Sequence, residues 1–367
     1  MDQFFKGRPD GPRAIISTEL REIRSEREAY PSSFDGFIGN ASMSLETRHG
    51  FEFPRNAVIE PRDTPDNVSG LCASKFASEG FEFFIFPRRD GGVCIDVTCP
   101  GPNLPPDLEM RVVESLQSVL GVEINWSVMR TLEMRTESVL VRSPTKGLGN
   151  ASVKPPVAID FIDHEDRVWK LFDAYFRFVV SNGPNRAWHP ISRSLYSVLE
   201  GAAGSTDGEW MALGIAVEGL TKFVPASLCE ETELNQAVIN DFKETLAEWK
   251  PAPTDEEPDV ERIRMRVTGL LNSLSRPVPK SVLLNLQGAG LIEANEISAW
   301  SKHRNTYAHS CHRLELPTQE ELDRAELVRT LLHKLLFLTI GYSGEYTSYS
   351  ERGYPFRAFP PPPSPIG

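Results

Sequence analysis

The segment of this chain with the richest chemistry is Ser301–Arg313, SKHRNTYAHSCHR. It is basic and contains no acidic residue, although the whole chain has a formal net charge of −12. Within it, four residues separate Arg304 from His309. Arginine is a permanent cation that binds phosphate groups, and histidine can donate and accept protons near neutral pH. The pair therefore predicts a site that cleaves RNA, with Arg304 and His309 as its catalytic residues.

The reaction that these side chains support is attack of a ribose 2′-hydroxyl on the adjacent phosphate. His309 would transfer a proton, and Arg304 would stabilise the negative charge that develops on phosphorus. One histidine cannot readily act as both base and acid in line, so we expect a homodimer in which two motifs share one cleft. Because Arg304 and His309 lie about 140° apart around a helix axis, they cooperate best where the helix ends. Ser310 and the residues up to Pro317 predict that end.

The neighbours of the pair have predicted supporting roles. Asn305 is expected to orient the turn through hydrogen bonds. Four further basic residues are expected to contact RNA: Lys302, His303, His312 and Arg313. Cys311, beside His309, raises the alternative of a metal site, but two or three ligands without a second cluster seldom make a closed zinc site. We therefore expect no metal and no cofactor.

Spacing alone leaves a simpler interpretation open. A histidine and a solvated arginine at the C-terminal end of a helix are favoured by the helix dipole without any catalytic role. The context of the motif favours the catalytic interpretation. Asn305 follows the arginine directly, and aromatic residues anchor the same predicted helix.

Length and composition limit the class of protein. A chain of 367 residues with 40% hydrophobic and 25% charged residues is typical of a globular protein with two domains. No apolar run approaches the roughly 18 residues that span a bilayer, and the N-terminal residues lack the apolar core of a secretory signal. Five cysteines without a C-x-x-C pair favour reduced thiols and a cytoplasmic location. The acidic balance argues against broad coating of nucleic acid and favours a selective RNA binder.

The pattern of apolar residues predicts an α+β fold. Residues 1–145 are expected to form a β-rich N-terminal sensor or regulatory domain, with one helix after Pro105 that ends at Gly121. Its predicted strands are Gly36–Leu45, Phe51–Ile59, Phe81–Phe86, Val93–Cys99, Ile124–Met129 and Ser138–Val141. Residues 146–158, rich in Gly, Ser, Pro and Lys, are the expected linker.

The C-terminal part is predicted to be all-α. Helical periodicity begins near Asp163 and defines a helical-bundle domain over residues 159–345. The predicted helices there include Trp210–Val224, Glu231–Trp249, Asp259–Leu274, Lys280–Ala289, Ala294–His309 and Gln319–Ile340. Residues 346–367 are the expected proline-rich tail, and its segment Phe359–Pro365 is predicted to extend as polyproline or to stay solvated.

The motif carries a family resemblance. The segment HRNTYAHS resembles the R-x4-6-H signature, in its RN-x-x-x-H form, of HEPN domains, which are helical ribonuclease modules of prokaryotic defence and toxin systems. The segment WMALGIAVEGLTKFV is similar to the Glu-bearing helix that often precedes this signature, and Glu218 matches the acidic position. The N-terminal segment LEMRVVESLQSVLGVEINWSV is similar in layout to the β-rich domain of ApeA-like anti-phage proteins.

The resemblance implies a function as well as a fold. It implies a helical bundle, a homodimer that brings two motifs into one composite site, and metal-independent cleavage of RNA, tRNA included. Glu218 would then support a motif residue, and the N-terminal domain would respond to a phage-derived trigger or an antitoxin partner. The alternative is a HEPN-like module that dimerises or binds a partner without catalysis.

Overall fold

The computed structural model describes residues 13–16, 22–28, 40–59, 71–134, 136–142, 148, 151–159, 165–228, 233–250, 259–274, 278–309 and 316–360. Over these residues the chain forms an antiparallel sheet with one helix, followed by a set of helices. This architecture is consistent with the predicted α+β class.

The strands pair in one antiparallel sheet in the order β1-β2-β9-β8-β3-β7-β6-β5-β4. Their bounds are β1 Arg13–Ile16, β2 Glu22–Glu28, β3 Ala41–Thr47, β4 Ala57–Ile59, β5 Leu71–Ser78, β6 Phe81–Pro87, β7 Val93–Cys99, β8 Trp126–Glu133 and β9 Thr136–Arg142. Side chains of a strand point alternately to the two faces, and β3 accordingly buries Ala41, Met43 and Leu45 while the residues between them stay partly exposed. One face of the sheet is therefore the core face.

Helix α1, Leu108–Leu120, packs in the same core as these strands. It ends where the sequence predicts, because Gly121 adopts a left-handed conformation with φ 67° and donates to the carbonyl of Gln117. A side chain at Gly121 would also collide with the carbonyl oxygen of Val153, 2.3 Å from an ideal Cβ. Glycine is thus required here for both conformation and close approach.

Eight helices follow in the described part of the chain. They are α2 Glu165–Asn182, α3 Pro190–Gly204, α4 Thr206–Leu220, α5 Glu233–Glu248, α6 Val260–Leu274, α7 Pro279–Gly288, α8 Ala294–His309 and α9 Gln319–Ile340. The predictions for α8 and α9 are confirmed to the residue, and those for α4 to α7 are confirmed within a few residues. Helix α3 and strands β1, β2 and β5 were not predicted.

Helix α2 joins the helices to the sheet. Trp169 stacks on Phe76 of β5, with ring centroids 4.0 Å apart, and Phe172 meets the same ring edge-on at 5.1 Å. Buried residues of the strands and of the helices form one continuous hydrophobic cluster. The division of the chain at residues 146–158 stays a prediction, and the packing across it is continuous.

The end of the chain differs from the expectation of a solvated tail. Strands β10 Gly344–Thr347 and β11 Phe356–Phe359 form an antiparallel hairpin. Its Tyr346 and Phe359 pack against Phe337 of α9. Of the segment expected to be solvated, Phe359 is instead buried on α9 as the last residue of β11, Pro360 is exposed, and residues 361–367 lie outside the described part.

A buried ion pair connects α1 to the segment between α2 and α3. Arg111 pairs with Glu114, and its guanidinium also donates to the carbonyls of Pro184 at 2.7 Å and Ala187 at 2.8 Å. The amide of His189 donates to the second oxygen of Glu114 at 2.9 Å. Burial raises the pKa of Glu114, and hydrogen bonds from Ser192 and from the amide of His189, together with Arg111, oppose that rise. Of these three groups only Arg111 carries the opposite charge.

We expect Arg111→Met to lower the free energy of unfolding by about 3–5 kcal/mol, because it leaves the fully buried Glu114 without its counter-charge. Denaturant unfolding followed by circular dichroism measures the loss. Arg177→Met is the matched control, since Arg177 forms an exposed ion pair with Glu79 and its loss should cost far less stability. Equal losses in the two variants would contradict the structural role of the Arg111 pair.

Candidate functional site

The predicted motif lies on α8, and α8 packs along α4. Three hydrogen bonds join the two helices: Trp300 Nε1 to the Gly214 carbonyl at 3.1 Å, His303 Nε2 to the Trp210 carbonyl at 2.8 Å, and Arg304 Nε to Glu218 Oε2 at 2.9 Å. The α4 partners are spaced four residues apart, so they follow one face of the helix. We call this row of contacts the α4–α8 seam.

Small and aromatic residues set the distance between the two helices. Gly214 has no side chain, and a Cβ there would already touch His303 Cδ2 at 3.7 Å and Arg304 Cα at 3.8 Å. Beyond it, the ring of Tyr307 meets that of Trp210 edge-on, with centroids 5.3 Å apart. A methyl group is thus the largest side chain that the close approach admits without moving α8.

Arg304 and Glu218 form the polar end of the seam. Their side chains are 48% and 35% exposed, respectively, so the pair is open to solvent. The bond to Glu218 uses Nε of the guanidinium, whereas the edge formed by the two terminal nitrogens can still bind a phosphate through two hydrogen bonds. Glu218 can therefore orient the guanidinium plane while a phosphate approaches its outer edge. The structure thus places Glu218 beside Arg304.

His303 belongs to the core of the seam, and its predicted contact with RNA is wrong. The residue is 1% exposed, and its ring lies between those of Trp210 and Tyr307. Burial lowers the pKa of His303 to about 4, so the ring is neutral at pH 7. With Nε2 donating to the Trp210 carbonyl, Nδ1 is unprotonated and lacks a hydrogen-bond partner among the described residues. A neutral, buried imidazole cannot contact RNA.

The remaining predicted residues fall into two groups. Lys302 and Asn305 are exposed on α8, on either side of the seam residues His303 and Arg304, and are accessible to a ligand. His309 is the last residue of α8, so the motif does end at the helix terminus, but its side chain lies outside the described part of the structure. His312, Arg313 and Cys311 also lie outside it.

Two apolar residues border the site. Met211 and Ile215 lie one turn apart on α4 and are 48% and 61% exposed. Ile215 is three residues from Glu218, so this small patch adjoins the Arg304–Glu218 pair. Neither residue was predicted from the sequence as part of the site.

Other features of the described residues limit the possible chemistry. No group of three or more His, Cys, Asp or Glu side chains within the described ranges is arranged to bind a metal ion. None of the helices in those ranges is long and apolar enough to cross a membrane.

Comparisons with known proteins do not identify the site. The chain matches no protein-family model, no curated protein and no solved structure.

The buried state of His303 predicts a pH dependence of stability. The pKa of His303 is about 4 in the folded protein, whereas an unfolded histidine titrates near pH 6.5. Between these values the unfolded state binds more protons, so the free energy of unfolding falls as the pH drops from about 6.5 to 4. We expect His303 to contribute at most about 3 kcal/mol to this fall.

Unfolding by urea at several pH values between 7 and 4.5 tests this expectation. His303→Gln, which removes the titrating group, should flatten the dependence, although not abolish it, because burial also lowers the pKa of His333 to about 3. His49→Gln is the control, since His49 is exposed. The expectation fails when His303→Gln and wild type lose stability in parallel.

Proposed function

We propose that this chain is a metal-independent endoribonuclease of the HEPN type, active as a homodimer in a prokaryotic defence or toxin system. The observation that carries the proposal is the exposed Arg304, which Glu218 of a neighbouring helix holds at 2.9 Å near the end of α8. The helix that bears it ends at His309, so the arginine and the histidine of the motif occupy the last two turns.

Each motif residue has a proposed role in RNA cleavage. Arg304 binds the scissile phosphate and stabilises the charge that develops in the transition state. His309 transfers protons between the 2′-hydroxyl, the phosphate and the leaving 5′-oxygen. Glu218 limits the orientations of the guanidinium, which lowers the entropy lost on binding the phosphate. Lys302 would contact the RNA backbone, and Asn305, directly after the arginine, would support the motif through hydrogen bonds.

The proposed active form contains two chains. In-line cleavage needs a base on one side of phosphorus and an acid on the other, and a second copy of His309 supplies the missing group. The β-rich N-terminal part would sense a phage-derived trigger or an antitoxin partner, and its shared core with the helices offers a physical connection to the motif. We place the reaction in the cytoplasm, where RNA, including tRNA, is available.

The competing function is a HEPN-like binding module without catalysis. The Arg304–Glu218 contact favours it in one respect, since a carboxylate already neutralises part of the arginine's charge. In such a module the seam would only stabilise the packing of α4 and α8. Activity measurements separate the two functions.

We expect purified wild-type protein to cleave total RNA equally with and without EDTA. Arg304→Ala and His309→Ala should each lower the cleavage rate by a factor of about 10² or more, because each removes a group that acts in the transition state. Gel electrophoresis of the products measures the rates. Arg177→Ala is the matched control, because Arg177 is another exposed arginine that bonds a glutamate, at 2.6 Å.

Three results would count against the proposal. Full cleavage by folded His309→Ala or Arg304→Ala protein contradicts the assigned site, and loss of cleavage in EDTA contradicts metal independence. A wild-type dimer that binds RNA without cleaving it identifies the binding module instead.

Glu218→Gln should have a smaller effect than loss of Arg304. The amide retains an oxygen that accepts a hydrogen bond but loses the charge that strengthens it, so we expect a loss of roughly tenfold in the cleavage rate. Rates at saturating and at low RNA concentrations show whether kcat or KM changes. Glu79→Gln is the control, since Glu79 pairs with Arg177 in the same manner far from the motif in sequence. If Glu79→Gln lowered the cleavage rate as much as Glu218→Gln, the loss would reflect a general effect on stability.

A further inference from the structure

Helices α5 and α6 are the least covered elements of the described helical part. Of their described side chains, only Leu271 is buried. They contact each other, and Arg264 of α6 donates to the carbonyl of Trp249 just beyond α5. Large apolar side chains on both helices are nevertheless exposed, among them Val238, Phe242, Trp249 and Ile263. A pair of helices that leaves such residues in water lacks part of its packing.

The apolar residues follow the spacing of helices that pack in a bundle. On α5, Val238, Phe242, Leu246 and the adjoining Trp249 recur at intervals of four and three residues and form one stripe. On α6 the intervals alternate between three and four: Val260, Ile263, Val267 and Leu270. Regular stripes on both helices are typical of a surface that packs against other helices.

The charges beside these stripes are opposite in sign on the two helices. Helix α5 carries four acidic residues and one lysine, and Asp241 and Glu248, seven residues apart, lie on one side of its stripe. Helix α6 carries three arginines and one glutamate, and Arg262 and Arg266 lie on one side of its stripe. In the described part of the chain no ion pair joins the two helices, and Arg262 instead pairs with Asp259.

We infer that the α5–α6 pair is an interface between two copies of this chain. In an isologous dimer, the acidic α5 of each copy faces the basic α6 of the other, so the complementary charges meet twice. A second copy of the chain is the partner that fits this surface, because the same surface carries both the acidic and the basic side chains that complement each other. The inference concerns association alone and does not depend on RNA cleavage.

The size of the surface predicts weak association. Two helices of about 23 Å side by side present a face about 20 Å wide, or roughly 450 Å² per copy, at the low end for specific interfaces. We therefore expect a dissociation constant in the micromolar range. The Met211–Ile215 patch of α4 is shorter still, and Glu218, three residues after Ile215, already pairs with Arg304.

Sedimentation equilibrium of the full chain without RNA, from about 1 to 100 µM, tests the inference. Phe242→Glu should raise the dissociation constant of the dimer about tenfold or more above that of wild type. Leu284→Glu is the matched control, since Leu284 of α7 lies outside both stripes and away from the Arg304–Glu218 pair in sequence, and the two side chains are 49% and 57% exposed. A wild-type monomer at every concentration overturns the inference, as does a dimer that Leu284→Glu weakens more than Phe242→Glu.

Charge exchange provides an independent test that keeps the apolar stripes intact. Asp241→Lys with Glu248→Lys, or Arg262→Glu with Arg266→Glu, brings like charges together in the homodimer and should weaken it. All four changes in one chain restore the complementarity, so that variant should dimerise with itself but not with wild type. Failure of the four-change variant to recover would overturn the inference, whether or not the protein cleaves RNA.

Discussion

Burial of aromatic side chains between α2 and the sheet is the constraint on which the arrangement of the chain depends. Trp169, Phe172 and Phe176 of α2 pack against Phe76, Phe81 and Phe83 of the neighbouring strands β5 and β6. Neither the sheet nor the helices alone would remove these rings from water, and each ring contributes a large apolar area. Because α2 precedes α3 to α9 in the chain, its position on the sheet limits where they can pack. The sheet and the helix that carries Arg304 thus share one continuous core.

Within that core, desolvation gives consecutive residues of α8 different roles. His303 and Arg304 lie about 100° apart on the helix, so one faces α4 and the other reaches its solvent-exposed edge. Burial keeps His303 neutral, which prevents it from binding phosphate and lets it donate to the Trp210 carbonyl without carrying a charge into the core. Rigid packing at His303 in turn holds Arg304 in reach of Glu218. The arginine is therefore oriented by helix packing as well as by its carboxylate partner.

The sequence was informative where a local signal coincided with tertiary packing. Gly121 ends α1, and the apolar spacing of α8 and α9 yields their observed bounds. Helix α3 was missed because glycines and serines interrupt its apolar spacing, and β5 because its small residues alternate weakly. The wrong prediction for His303 has a different cause. An RNA contact follows from its place in a basic segment, whereas its position on the buried face of α8 excludes that contact. Its spacing from Trp300 and Tyr307, three and four residues away, was the available signal.

Association of two chains would regulate the proposed nuclease activity. A site that requires two copies of the motif is active only in the associated chain, and a small interface associates only at sufficient concentration. The attraction between exposed complementary charges becomes stronger as the ionic strength falls, because fewer salt ions screen it. At about 0.1 M salt the screening length is about 10 Å. If α5–α6 holds two chains together and Arg304 acts with a partner's motif, nuclease activity depends on protein concentration more steeply than linearly. A trigger bound by the N-terminal sheet would then need only a modest gain in association to activate the enzyme.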